Sequence, residues 1–86
     1  MMRITLLSHG PDEVVLKVEG WVSGEAVDLL EQEGSRWLRQ AGHLVLDLSG
    51  VKSIDSRGVA LLNRWSDEQL GLRGESSFVR MLLRQA

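Results

Sequence analysis

Apolar and polar positions along the chain fall into short blocks of different period. Arg3 to Ser8 carries Ile4, Leu6 and Leu7 and predicts a first strand, followed by turn residues at Gly10-Pro11-Asp12. Val14, Leu16 and Val18 then alternate with Val15, Lys17 and Glu19, the period of a strand with one face more buried than the other. A connection this short makes the two strands an antiparallel hairpin. After Gly20-Trp21-Val22-Ser23-Gly24 the period changes. Ala26, Val27, Leu30, Gly34, Trp37, Leu38 and Ala41 recur at helical spacing, with charged residues on the opposite side. Ser23 is the expected N-cap, Glu25 suits the positive helix start, and Arg36, Arg39 and Gly42 read as stop signals.

The second half repeats the alternation. His43 to Leu48 contains the run Leu44-Val45-Leu46, which suits a strand covered on both faces. Val51 to Ile54 reads as a loop. A helix then starts near Asp55 or Ser56, with an apolar stripe of Val59, Leu62 and Trp65 flanked by Leu61. Gln69 to Arg73 reads as a short strand, and Ser76 or Ser77 as the cap of a last helix carrying Phe78, Val79, Leu82 and Leu83. The order β-β-α-β-α-β-α, with right-handed crossovers, places the second, third and fourth strands parallel. The expected fold is an α/β sandwich, one domain over residues 1–86 with a small mixed four-stranded sheet and helices packed against it.

Composition narrows the function. With 86 residues the chain has room for one core. A domain of that size buries roughly 60–65% of its unfolded surface, which leaves little space for an internal cavity and argues against an enzyme for large substrates. At 43% apolar and 26% charged it is no disordered acidic tail. Without cysteine it has no disulfide, thiolate nucleophile or zinc-thiolate site, and a reducing cytoplasm is the expected location. The longest apolar run, Val59 to Leu62, falls far short of a membrane span, and the start is too interrupted for a signal peptide. A net charge of −2 with mixed charges argues against nucleic acid as a partner. His9 and His43 lack partners at metal-ligand spacing, and the nine glycines form no phosphate-binding loop. No nucleophile elbow surrounds Ser56. No cofactor is expected. Trp37 and Trp65 lie on apolar stripes and are expected in the core; Trp21 does not, and suits an exposed partner anchor.

The most informative stretch is Leu44 to Leu62: a buried strand, a tight loop, and a helix opening with Asp55, Ser56, Arg57 and Gly58. With Asp55 as N-cap, Ser56 takes the first helical position, beside unpaired N–H groups and the positive end of the helix dipole. A phosphate on that hydroxyl would be tolerated there. The plain structural reading of the same residues is that Asp55 and Ser56 cap a helix.

This stretch resembles the signature of the STAS family, the domain of bacterial anti-sigma factor antagonists. The resemblance rests on Asp47-Leu48-Ser49, Ile54, Asp55-Ser56-Arg57-Gly58 and Val59-Ala60-Leu61-Leu62. It extends upstream through Leu16 to Gly24 and downstream through Ser76 to Leu83, over essentially the whole chain. It implies a regulatory protein rather than an enzyme, with Ser56 phosphorylated by an anti-sigma factor that is itself a serine kinase and brings its own ATP and magnesium. The unphosphorylated form captures this partner and frees a sigma factor; phosphorylation releases the partner. The expected partner surface is Trp21, Ser23 and Gly24 with Ser53, Asp55, Arg57 and Gly58. Arg57 stands where the family usually has a small residue, and Ser23 where it often has an acidic one. A second implication is a STAS subunit that constitutively binds the ATPase of a lipid-transporting ABC system.

Overall fold

A computed structural model of the chain describes residues 1–66 and 70–73. The order of elements is β1 (Met2–His9), β2 (Val14–Val22), α1 (Glu25–Ala41), β3 (Leu44–Ile54), α2 (Ser56–Ser66) and β4 (Leu70–Arg73). The strands form one sheet in the order β1-β2-β3-β4. β1 and β2 are antiparallel, and β2, β3 and β4 run parallel, as the crossover argument predicts. The hairpin closes where the Gly10 N–H donates to the Glu13 carbonyl at 2.8 Å. The final helix expected from Ser76 onward, and Gln69 at the expected start of the last strand, lie outside the described residues.

The core follows from strand parity. Val14, Leu16, Val18 and Val22 of β2 and Leu44, Leu46 and Leu48 of β3 are buried and join Val27, Leu30, Leu61, Leu62 and Trp65 of the helices in one cluster. Both helices therefore lay their apolar stripes on the same face of the sheet. The Trp65 indole fills the space where a Cβ on Gly34 would stand, so the glycine lets α1 and α2 approach closely. Trp37 is half-buried against the edge of the core, with the His9 ring edge-on to it at 4.9 Å. Val45, between two buried leucines, is half-buried.

Two local expectations are overturned. Residues 51–54 are not a loop: β3 runs on through Ile54, pairing Val51 with Gly20, Ser53 with Trp21 and Ile54 with Val22. Lys52 and Ser53 are polar because this end of the strand is exposed, and register shifts beside Glu19 and Trp21 keep it paired. The N-cap of α1 is Gly24 rather than Ser23, with φ 57° and ψ −129° and no side-chain cap. A positive φ suits glycine and strains other residues, so the chain turns into the helix one residue later than the hydroxyl suggested. Ser23 contributes its backbone carbonyl, which accepts from the Ala26 N–H at 3.1 Å. The helix end matches expectation: Gly42, at φ 81°, donates its N–H to the Leu38 carbonyl.

Candidate partner-recognition site

The parallel ends of β2 and β3 deliver two segments side by side, Trp21 to Gly24 leading into α1 and Ser53 to Gly58 running into the first turn of α2. Asp55 ties them together. Its N–H donates to the Val22 carbonyl at 3.1 Å. Its Oδ1 accepts the Gly58 N–H at 2.9 Å, which is the N-cap bond to the third residue of α2, and its Oδ2 accepts the Gly24 N–H at 3.0 Å. The Gly24 N–H, then the Gly58 N–H, hold this carboxyl below the usual carboxylate range; desolvation works against them, and the Arg57 charge adds to the depression.

Ser56 is the first residue of α2 and is exposed. Arg57 reaches back across to α1, with Nη2 donating to Asp28 Oδ1 at 2.8 Å and Nη1 to the Gly24 carbonyl at 3.3 Å. Gly24 is thus gripped at both its N–H and its C=O by residues from the start of α2. Gly58 is buried, and a Cβ there would stand 2.7 Å from Ile54 Cγ1 and 3.0 Å from the Val22 carbonyl oxygen. That glycine lets α2 sit directly on the end of β2.

The other expected site residues fall around this junction. Ser23 and Ser53 are exposed, and Ser53 is the β3 partner of Trp21. Trp21 is 56% exposed and points away from the buried Val22. Beyond the expected set, Asp28 belongs to the site through Arg57, and a second pair, Arg64 with Glu31, joins α2 to α1 two turns further along. Between the two helices lies an open groove of about 330 Å³ lined by Val27, Glu31, Arg57, Ala60, Leu61 and Arg64. Acids three apart on α1 and arginines seven apart on α2 are a legible stripe pattern once the helices are known to be neighbours. Among the described residues no cluster of His, Cys, Asp or Glu could hold a metal ion, and no helix is long and apolar enough to cross a membrane.

Fold and junction together describe a small α/β domain whose candidate site lies at the carboxyl ends of parallel strands. A family model described as "Mlab, STAS domain" matches residues 5–86, and the chain belongs to that STAS family. Among solved structures it is similar to the anti-sigma factor antagonist SpoIIAA in its unphosphorylated form, with a TM-score of 0.76 at 18% identity, covering 98% of this chain and 84% of that one. At that identity the likeness concerns the fold. No curated protein matches the chain significantly.

Proposed function

We propose that the chain is an anti-sigma factor antagonist, a cytoplasmic, non-enzymatic binding protein of a partner-switching pathway, with Ser56 as its switch. The observation that carries this reading is the exposed Ser56 hydroxyl at the first position of α2, flanked by a capping carboxylate and facing no core residue. A kinase partner can reach it without unfolding the helix. The Ser56 oxygen bonds the γ-phosphorus of the partner's ATP, the bond to ADP breaks, and the hydroxyl proton passes to the kinase. The product carries about −1.5 to −2 charges at the helix start, where the dipole tolerates them in the free protein. In a complex the same charge must be desolvated under the partner, so its cost falls on binding. Moving the bound fraction from about 99% to about 1% requires about 5.5 kcal/mol.

The test is co-purification, followed by intact mass and affinity measurements. Wild type incubated with its captured partner and MgATP should gain the mass of one phosphoryl group and dissociate. Ser56→Ala should bind normally and stay bound; Ser56→Asp, with half the charge, should bind more weakly than wild type. An unchanged mass with the captured partner, together with undiminished binding of Ser56→Asp, would overturn the switch. A second reading within the STAS family is constitutive assembly with the ATPase of a lipid-transport ABC system. Capture of such an ATPase, with no mass change on adding ATP, is its signature.

A further inference from the structure

We infer that Arg57 relays the state of Ser56 to the other half of the recognition surface: unmodified, it latches α2 to α1 through Asp28 and the Gly24 carbonyl, and a phosphate on Ser56 draws it off. The inference rests on the Ser56 reading above and concerns how modification reaches residues that do not carry it. The latch spans two elements that are far apart in sequence, and its ends are Asp28 in the first turn of α1 and the cap residue Gly24. It is an exposed pair, with the Arg57 and Asp28 side chains 57% and 56% accessible, and pairs of that kind are held weakly. The bond to Gly24 O, at 3.3 Å, is long. A phosphoserine next door offers up to twice the charge of Asp28 and three strong acceptor oxygens.

Successive side chains on a helix diverge, so a guanidinium serving the phosphate is pulled away from Asp28. The other charged groups around Arg57 oppose this little. Asp55 already spends both carboxylate oxygens on Gly24 and Gly58, and Glu31 is engaged by Arg64. Once Arg57 leaves, Gly24 keeps the Asp55 bond on its N–H and the helical bond from the Val27 N–H, at 3.1 Å, on its carbonyl, and loses only the second, longer bond that Arg57 gave that carbonyl. The tie from α2 to Gly24 and Asp28 therefore opens on the α1 side although the phosphate sits on the α2 side.

The experiment uses the full chain with phosphoserine incorporated at position 56 during synthesis, so that no kinase is needed. In ¹⁵N-resolved NMR, phosphoserine should shift the Arg57 Nε–H and the Gly24 and Asp28 amides. In Arg57→Gln the Gly24 and Asp28 amides should respond far less. By ³¹P NMR the second ionisation of the phosphate should occur at lower pH in the Arg57 chain than in Arg57→Gln. Asp28→Asn, which frees Arg57 in advance, should lower it further. Equal amide responses with and without Arg57, or a phosphate ionisation indifferent to Arg57 and Asp28, would overturn the relay. Failure of the Ser56 reading looks different: the captured partner adds no phosphate, while the incorporated phosphoserine still moves Gly24.

Discussion

Gly58→Ala sets helix propensity against packing at the junction that carries the site. In an unobstructed helix interior the change stabilises by about 0.8–1 kcal/mol. Here the added methyl would stand 2.7 Å from Ile54 Cγ1, 3.0 Å from the Val22 carbonyl oxygen and 3.1 Å from Val22 Cγ1. The Ile54 side chain can give way by a few tenths of an ångström. The Val22 carbonyl has less freedom, because it accepts the Asp55 N–H and its strand is paired with β3 through Ile54. Forcing a methyl into a filled site costs about 1–3 kcal/mol. Subtracting the propensity gain leaves a net loss of about 1 kcal/mol, equivalent to a fall in Tm of about 4–8 °C for a domain of this length. Urea and thermal unfolding followed by circular dichroism measure it directly. A double-mutant cycle with Ile54→Ala identifies the cause, since the pair should lose less than the sum of the single variants. A Gly58→Ala chain that melts at or above wild type would refute the reasoning, because propensity would then have outweighed the contact with β2.

Three further outcomes follow from the same geometry. Asp55→Asn offers one acceptor oxygen where the carboxylate uses two, so its stability should fall between wild type and Asp55→Ala; equality with wild type at neutral pH would show that one of the two bonds contributes nothing. Because the folded state holds this carboxyl below its usual range, its contribution is complete above the ordinary carboxylate pKa and is lost as pH falls through that range toward the folded value. Acid unfolding of Asp55→Asn should accordingly be shallower, and an identical acid limb would refute the charge-stabilised cap. Trp21→Ala, at a position 56% exposed, should change stability by no more than about 0.5 kcal/mol while weakening the captured partner by more than about 1 kcal/mol, roughly fivefold or more in Kd. An unchanged Kd with the fold intact would return Trp21 to the ordinary surface.

What could be read from the chain and what could not divides along the range of the interactions. The strands, both described helices and the parallel order follow from period and turn chemistry, which act over a few residues. The Asp55 cap is local too, since its Oδ1 meets an N–H three positions on. Residues 51–54 depart from the expected loop because the end of β3, although it carries Lys52 and Ser53 at the exposed rim of the sheet, is held by its neighbour β2. Ser23 misled for a related reason. By propensity it outranks glycine as an N-cap, but the cap falls on Gly24, at positive φ, whose N–H and C=O are bonded by Asp55 and Arg57, more than thirty residues later. The Asp-Ser-Arg-Gly stretch therefore has two structural roles that its spacing alone does not reveal: it caps its own helix, and it sets the backbone of the loop beside it. A substitution at 55 or 57 should consequently be felt at 23 and 24, where a partner would sense it even without touching α2.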